Sequence, residues 1–348
     1  MVRYAALDVS LETTAIRVVD EDGRVTAEGK VRTCPDAIRD FLASRAPGLR
    51  RVGLETGPLA VWLWNELRDR QLPVVCLDAR HANAALKVRP AKTDRNDAAG
   101  LAQIVRTGWY KEVRIKARAS HEIRALLSAR DVLVSTRVRL EVQVRGLLRT
   151  FGVLFGKQVG GFSRRAQEIL SGELAAAPAL RDLVEMLMKA RADVAERIAA
   201  LDRMVLAAAK ADPTARLFMT APGVGALTAL SVASAFDDPG RFQNSRSAGA
   251  YLGLTPSRHE SGEVSRSGGT SKQGNGMTRK HLYEAATTLL TRTTKPCALK
   301  DWGLRLAKAG GFKKARVAVA RRLAVALHAM WKTGTEFRRS PPAAATSC

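Results

Sequence analysis

The sequence is poor in cysteine, in aromatic side chains and in long apolar runs. Its four cysteines show no Cys-x-x-Cys spacing, which argues against a disulfide framework and against a zinc site. Aromatic residues make up 5% of the chain and do not alternate with basic ones, so they suit hydrophobic cores better than base stacking. The longest weakly polar stretch, 226–236, is too short to span a bilayer, and Asp8 interrupts any secretory segment. These absences favour a cytoplasmic protein without a membrane partner.

Acidic residues are also few relative to basic ones. The chain has 57 Lys and Arg against 33 Asp and Glu, a net charge of +24, and 46% of its residues are hydrophobic, which excludes a disordered chain. Residues 241–348 hold 20 of the basic and 5 of the acidic side chains. A surface of this kind favours nucleic acid as the partner, because phosphates release counterions when basic groups neutralise them. An acidic membrane surface is the main rival, but the basic helices lack the apolar face it needs.

The first part of the chain predicts strands that alternate with helices. Three successive strands in a meander are followed by β-α-β-α units, a pattern that indicates a mixed sheet with helices on its faces. The expected strands are 4–9, 14–20, 24–32, 51–55 and 74–78, and the expected helices are 35–45, 58–70 and 94–107.

The middle of the chain predicts long helices. Leucines recur every seven residues from Leu126 to Leu147, within a helix expected over 120–150, and a second heptad set runs from Leu180 to Val205 with Arg191 in its seam. Two readings stay open: the two helices pack against each other within one chain, or they form a coiled coil between chains.

The last third predicts a basic, mainly helical domain. It begins near Pro213, and helices are expected over 277–291 and 313–332. Before these two helices, residues 255–276 contain five glycines and five serines, too irregular for a helix and too basic for a linker without a function. Near its start, Gly223-Val224-Gly225 fits either a tight connector between helices or a turn that offers N–H groups to a phosphate. Residues 341–348 are expected to form a disordered tail.

Four acidic residues in the first part of the chain lie at the ends of predicted strands or at the start of a predicted helix. Asp8 and Glu55 end predicted strands, and Asp94 and Asp97 lie three residues apart at the start of a predicted helix. Each alone has an ordinary explanation as a turn residue, a helix cap or a solvated carboxylate. Together they fit a site for hard divalent cations such as Mg²⁺, which prefers oxygen ligands and supports phosphoryl transfer.

Two other classes of enzyme with an acidic residue on the first strand fit the sequence less well. An actin-like ATPase needs Asp-x-Gly-x-Thr after its first strand, but here Asp8 is followed by Val9-Ser10-Leu11-Glu12. A proofreading-type exonuclease needs Asp-x-Glu on that strand, and Ser10 stands in the position of the glutamate.

Several segments, taken in order, resemble the IS110-family transposases, including the IS1111-type branch and the related pilin-gene invertases. Each motif is weak alone, but their order over nearly the whole chain is specific. The matching segments are Leu7-Asp8-Val9-Ser10, Glu55-Thr56-Gly57-Pro58, Lys92-Thr93-Asp94-Arg95-Asn96-Asp97-Ala98, Ala221-Pro222-Gly223-Val224-Gly225, Tyr251-Leu252-Gly253-Leu254-Thr255-Pro256, Glu260-Ser261-Gly262 and Ser271-Lys272-Gln273-Gly274-Asn275.

The resemblance implies a fold and an activity. It implies an α/β plus α architecture: a RuvC-like, RNase H-type domain over 1–117, a helical coiled-coil region over 118–212 and a mainly helical transposase domain over 213–340. It further implies that Asp8, Glu55, Asp94 and Asp97 hold Mg²⁺, with Mn²⁺ as a substitute, and that Ser261 is the nucleophile. The implied partners are donor and target DNA, an element-encoded guide RNA, and further copies of the chain in a dimer or tetramer formed through the helical middle. Such a protein is expected in the bacterial cytoplasm, on the nucleoid when bound to DNA.

The residues themselves leave the reaction open between three hypotheses. The first is strand transfer through a phosphoserine on Ser261, although Ser265, Ser267 and Ser271 are close by. The second is a metal-dependent, structure-specific endonuclease that uses activated water, and the third is a non-enzymatic nucleic-acid scaffold. His259 fits an acid–base role or a solvated side chain. Phosphate contacts are expected from five basic residues around the serine: Arg258, Arg266, Lys272, Arg279 and Lys280.

Overall fold

The computed structural model describes residues 1–86, 94–155, 161–172, 178–261 and 264–339. The chain forms two compact units, which divide between Lys116 and Ala117. The further division at 212 into a helical region and a separate C-terminal domain stays a prediction, and the predicted tail over 341–348 lies outside the described residues.

The first unit is built on a five-stranded mixed sheet. Its strands are β1 (Arg3–Val9), β2 (Thr13–Val19), β3 (Val25–Arg32), β4 (Leu49–Glu55) and β5 (Val74–Leu77). They lie in the order β3-β2-β1-β4-β5, antiparallel from β1 to β3 and parallel from β1 to β5. The short turns after β1 and β2 allow only antiparallel pairing, whereas β4 and β5 each follow a helix that carries the chain back to start a parallel strand. The predicted mixed sheet with helices on its faces is confirmed.

Both faces of this sheet are covered by helices. On one face Leu7, Val52 and Leu54 pack with α1 (Pro35–Arg45) and α2 (Ala60–Asp69). On the other, Tyr4 and Ala6 pack with α4 (Asp94–Thr107), next to the short α3 (Ala79–Leu86). Because alternate residues of a strand point to opposite faces, the apolar run of β1 supplies both cores at once. The predicted helices are confirmed. The sequence analysis did not predict α3, because this helix follows β5 with no linker.

The second unit begins with two long helices that pack against each other. They are α5 (Arg118–Arg149) and α7 (Pro178–Ala211), and α6 (Gly161–Leu170) lies beside their tip. Arg191, the charged residue in the heptad seam, donates from Nε to Oε1 of Glu141 on α5 at 2.8 Å, and its guanidinium lies over the ring of Phe162. The seam is therefore used within one chain, and the arginine is paired where it is only partly exposed to water.

The rest of the second unit is a helical core with one β-hairpin. Its buried centre includes Phe218, Leu230, Leu282 and Leu323. The helices are α8 (Pro213–Met219), α9 (Ala226–Phe236), α10 (Ser245–Tyr251), α11 (Gly276–Arg292), α12 (Ala298–Gly310) and α13 (Phe312–Thr333). The hairpin consists of β6 (Pro256–Ser261) and β7 (Val264–Thr270). The sequence had predicted an irregular segment here, because glycine and serine are weak strand formers and the hairpin forms by backbone pairing instead.

The Gly-x-Gly segment before α9 is a close-packed connector. Gly223 has φ +81°, and a side chain there would overlap the backbone of α11 at Ala285 and Leu289. Only glycine combines this dihedral with so close an approach between the connector and α11. The observed geometry therefore favours the connector reading over the phosphate-binding one. No helix in the described part of the chain combines the length and apolar character that crossing a bilayer demands.

A buried histidine joins α13 to the segment before α10. The side chain of His328 is fully buried, with Nε2 3.0 Å from the carbonyl oxygen of Pro239 and Nδ1 3.0 Å from Oγ of Ser245. Since a carbonyl only accepts, Nε2 donates to Pro239, while Nδ1 shares the second hydrogen bond with the serine hydroxyl.

Replacing His328 with alanine is expected to lower the free energy of unfolding by about 3–4 kcal/mol. The change opens a cavity beside Phe236 and Phe242 and leaves the partly buried Pro239 carbonyl without its donor. Ser245→Ala, which removes only one hydrogen bond, is expected to cost about 1 kcal/mol. Urea unfolding followed by circular dichroism measures both; equal costs for the two variants would contradict this account.

Candidate functional site

Asp8 and Glu55 lie at the same edge of the five-stranded sheet. Asp8 is the penultimate residue of β1 and Glu55 the last of β4, and the two parallel strands are in register at Leu7 and Leu54, one residue earlier in each. Since the carboxyl ends of parallel strands meet at one edge, the register brings the two acidic residues to neighbouring positions. The sequence predicted this pairing, and the strand register is its cause.

The two acidic residues also share one face of the sheet. Leu7 and Leu54 belong to the core beneath α1 and α2, so the residues that follow them point to the opposite face. That face is covered by α4: a side chain on Gly53, two residues before Glu55, would overlap Val105 of the helix. Asp8 and Glu55 therefore point to the side of the sheet on which α4 lies.

The first turn of α4 lies toward the same edge. Late in the helix, the carbonyl of Val105 accepts from Arg51 near the start of β4, and Gln103 donates to Gly23 beyond the opposite edge. Earlier in the helix, Ala98 lines a cavity with Ala15, which pairs with Asp8. The helix start, which carries Asp94 and Asp97, thus points to the edge where β1 and β4 end. The side chains of Asp94 and Asp97 lie outside the described residues.

A cavity of about 330 Å³ opens at this edge. Asp8 and Glu55 line it together with the backbone of the turns that follow each strand, 9–11 and 56–60. Hydrogen bonds hold the turn after Glu55, where the Thr56 N–H donates to the carbonyl of Leu77 at 2.9 Å and its Oγ1 accepts from the Ala79 N–H at 3.1 Å. The two carboxyl-bearing positions are therefore set by strand register and by braced turns.

The turn after Asp8 is braced by hydroxyl groups. Ser10 donates from Oγ to the carbonyl of Thr13 at 2.5 Å, and Thr33 donates from Oγ1 to the carbonyl of Ser10 at 2.9 Å. Thr14, which is fully buried, shares a further 2.9 Å hydrogen bond with Thr33. Ser10, in the position that an exonuclease would fill with glutamate, thus has a turn-forming role.

A third acidic residue at this edge was missed by the sequence analysis. Asp78 directly follows β5, whose Leu77 pairs with Glu55. Its Oδ1 accepts from the N–H groups of Arg80 and His81 at 2.9 and 3.3 Å, so it caps the start of α3. The repeated pattern of an apolar strand followed by an acid was the available signal. The cap gives Asp78 a structural role beside the cavity.

The donor set at the cavity suits a hard divalent cation. Carboxylate oxygens on one face of a sheet, next to the start of a helix that carries two more acids, are the ligands that such ions prefer. Among the side chains that the structure describes, no cluster of three or more His, Cys, Asp or Glu has the geometry of a metal site. Asp94 and Asp97, which would complete the set, are not among those side chains.

Ser261 lies in the second unit at the end of the β6–β7 hairpin. It is the last residue of β6, where it pairs with Val264, and it is exposed. On the opposite face of the strand, Ser265 Oγ lies 3.5 Å from Oε1 of Glu260. Ser257 donates to the carbonyl of Gly269 at 3.1 Å and so joins the two strands. The hairpin therefore presents Ser261 at its tip and uses Ser257 at its base.

The five basic residues predicted around the serine fall into different surroundings. Arg266 and Lys272 are exposed. Arg279 donates from Nη1 to the carbonyls of Leu252 and Gln273, and it thereby holds the turn before α11. Lys280 forms an ion pair with Asp131 of α5 at 2.6 Å. The side chains of Arg258 and His259 lie outside the described residues. Phosphate binding by these five residues stays a prediction.

Burial, together with the positive charge of the preceding Lys280, lowers the pKa of His281 on α11 to about 4. In the described part of the chain its Nδ1 atom finds no hydrogen-bond partner. The unfolded chain binds a proton near the ordinary pKa of about 6.5, well before the folded chain does. The stability that the neutral imidazole supports is therefore complete above pH 6.5 and is lost as the pH falls toward 4.

When the pH falls from 7 to 5, we expect the unfolding free energy of the wild type to decrease by about 2 kcal/mol more than that of His281→Leu. Leucine buries a similar volume without a group that titrates. Urea unfolding of both proteins at the two pH values measures the difference. The wild-type curve should steepen relative to the variant as the pH falls; parallel pH dependences would refute the assignment.

Comparison with known protein families gives matches in both parts of the chain. One part carries the acidic cavity on a mixed sheet, and the other is the basic second unit with its serine. Residues 5–152 match a family of transposases of the DEDD type of IS110 elements, and residues 215–302 match the family described as Transposase IS116/IS110/IS902. These features define the protein as a transposase, an enzyme that recombines DNA.

Individual relatives agree over most of the length. The transposase for insertion sequence element IS1111A of Coxiella burnetii is 31% identical over 339 residues, 97% of this chain and 92% of that protein. A probable family 20 transposase of Pseudomonas aeruginosa is 27% identical over 286 residues, 80% of this chain and 82% of the relative. The chain belongs to the IS110 family of transposases, and the predicted membership is confirmed.

Proposed function

We propose that this transposase cleaves and rejoins DNA through a phosphoserine on Ser261, with Mg²⁺ held by Asp8, Glu55, Asp94 and Asp97. The observation that carries the acidic half of the proposal is the register of β1 and β4, which brings Asp8 and Glu55 to one cavity at the edge of the sheet where both strands end. The strand order 3-2-1-4-5 of a meander followed by two parallel strands supports the RuvC-like, RNase H-type reading of the first unit.

The four carboxylates would bind the cation through their oxygens, and Mn²⁺ would substitute because it accepts the same ligands. When bound, the ion neutralises charge on the scissile phosphate and makes a bound hydroxyl more acidic. The chain's own contribution is position. Strand register sets Asp8 and Glu55, the braced turns hold the backbone beside them, and the start of α4 sets the other two acids.

The serine half of the proposal rests on exposure and on chemistry. Ser261 Oγ would form a bond to the scissile phosphorus while the bond from phosphorus to the departing sugar oxygen breaks. The serine proton leaves for water or a base, and the sugar oxygen gains a proton. A phosphodiester is exchanged for another phosphodiester, so rejoining by the reverse attack needs no nucleotide cofactor. A position at the end of a hairpin leaves the hydroxyl open to a strand of DNA.

The serine and the acidic cavity belong to different units of the chain. We infer that cleavage waits until nucleic acid and a second subunit assemble the complete site. Exposed apolar side chains on the long helices support association between copies through the helical middle: Val132, Val138 and Val142 on α5, and Leu183, Met186, Met204 and Leu206 on α7. The net charge of +24 is enough to accommodate an element-encoded guide RNA in addition to DNA.

A covalent-trapping assay tests the proposal. The full chain, purified with RNA co-expressed from its element, is mixed with Mg²⁺ and end-labelled donor and target DNA, quenched in detergent and run on a denaturing gel. A labelled DNA–protein band that survives detergent, and whose peptide map carries the phosphate on Ser261, supports the proposal. Cleaved DNA without an adduct would identify a nuclease that uses water, and no cleavage with intact DNA binding would identify a scaffold.

A further inference from the structure

A groove of about 820 Å³ lies in the second unit between α13 and the base of the β6–β7 hairpin. One wall is a stripe along α13 that includes Lys314, Val317 and Arg321. The other wall is the start of β6 and the end of β7, where Gly268 and Gly269 leave the backbone uncovered. The groove therefore adjoins the hairpin that carries Ser261 at its other end, and no function discussed above uses it.

The groove has a strong charge of one sign. Among the residues that the structure describes, five basic side chains and no acidic ones line it: Arg246, Lys313, Lys314, Arg321 and Arg322. All five are exposed, and none forms an ion pair within the described ranges of the chain. By contrast, Arg130, Arg191 and Lys280 elsewhere in this unit are each paired with a carboxylate. The groove thus holds uncompensated positive charge, which favours a polyanion.

The spacing of the cations along α13 suits a nucleic-acid strand. Lys314 precedes Arg321 by seven residues, about two helical turns, so these two side chains lie on one face of α13 about 10 Å apart. A strand that advances about 3.4 Å per nucleotide places three to four phosphates over that distance. A small anion would need the cations to converge on one point, whereas these are spread along the groove.

The floor of the groove is apolar. Val317, Ala318 and Val325 contribute aliphatic surface, and Trp302 of α12 lies beneath the guanidinium of Arg322 at 3.7 Å. Stacking on the indole holds the guanidinium flat and reduces the entropy lost when it binds a phosphate. Aliphatic surface between rows of cations suits the sugars and bases of a strand whose phosphates lie along the rim.

We infer that this groove binds the backbone of one DNA strand and guides that strand toward the hairpin that carries Ser261. The inference rests on the proposed function for its destination, the serine, but not for the binding itself. DNA is favoured as the occupant because the protein is a DNA-recombining enzyme and the groove ends on the strands that present the proposed nucleophile.

The test is DNA binding without cleavage. The full chain, freed of nucleic acid in high salt, is titrated against fluorescently labelled DNA in EDTA at several salt concentrations. Lys314→Ala/Arg321→Ala is expected to weaken binding about tenfold or more near physiological salt, and to reduce the slope of log K against log salt by about 1.5 to 2. Arg305→Ala/Lys332→Ala, which removes the same charge from exposed positions of α12 and α13 outside the groove, is expected to change affinity less than threefold.

Two results would overturn the inference. Equal losses in both double variants would mean that binding follows total charge and not the groove. A groove variant that keeps its affinity for DNA but loses affinity for a labelled hairpin RNA of equal length would assign the groove to RNA. Because the assay contains no divalent cation and reports no cleavage, failure of the phosphoserine proposal leaves its result unchanged. Circular dichroism of each variant checks that the fold is intact.

Discussion

Replacing Asp8 with asparagine is expected to reduce the rate of DNA strand transfer by about 10²- to 10⁴-fold. A bound cation is worth several kcal/mol at the reacting phosphate, and each 1.36 kcal/mol corresponds to a factor of ten. Asparagine has the size of aspartate but lacks the charge that binds a hard cation. Single-turnover cleavage of labelled DNA at saturating protein measures the effect on chemistry apart from binding.

The same variant has a readout that does not depend on activity. Because an ion that binds only the folded state stabilises it, Mg²⁺ or Mn²⁺ should raise the melting temperature of the wild type. The increase should be lost in Asp8→Asn.

Asp20→Asn is the matched control for Asp8. Asp20 follows β2 at the opposite edge of the sheet, where its Oδ1 accepts from the Arg24 N–H at 2.8 Å, and asparagine can accept the same bond. We expect normal strand transfer and a normal increase of melting temperature with divalent cation. Equal losses from Asp8→Asn and Asp20→Asn would show that charge on the first unit matters in general and that the cavity has no special part.

Replacing Ser261 with alanine is expected to abolish the covalent DNA–protein adduct and to lower strand transfer below detection. The substitution removes the oxygen that, in this proposal, forms the bond to phosphorus. Because Ser261 is exposed at the end of a strand, folding should be unaffected. DNA binding in EDTA should stay within twofold of the wild type.

Ser265→Ala separates Ser261 from its closest rival. Ser265 lies in the partner strand, with its hydroxyl 3.5 Å from Glu260 on the face opposite to Ser261. If Ser261 is the nucleophile, Ser265→Ala keeps the adduct and Ser261→Ala loses it. The reverse result would move the nucleophile to the Ser265–Glu260 pair. Cleavage that persists in both variants without an adduct would favour attack by water.

Local patterns in the sequence were enough to predict most of the elements of the first unit. Apolar runs of four to seven residues separated by turn residues gave the five strands, and α4 was predicted with its observed bounds. The same patterns gave α5, α11 and α13 within a few residues, because amphipathic helices of this length repeat their signal many times. The net charge and its concentration in the C-terminal third predicted a nucleic-acid partner, in agreement with a DNA-recombining enzyme.

The sequence did not reveal the hairpin or the basic groove. Strand pairing in β6 and β7 comes from backbone hydrogen bonds between residues with little strand propensity, so no side-chain pattern predicts it. The spacing of Lys314 and Arg321 places both on one face of α13, but the groove also needs Arg246 from α10 and the base of the hairpin.

The sequence by itself determined the kind of protein, a basic transposase with four acidic residues at strand ends and at the start of a helix. It could do so because motif order and composition can be read directly from a single chain. Only the tertiary structure decided which residues meet. The register of β1 with β4 brings Asp8 to Glu55, α4 runs toward their edge of the sheet, and α13 faces the hairpin. These are pairings between distant segments, which are fixed by how apolar faces pack and not by the residues near either site.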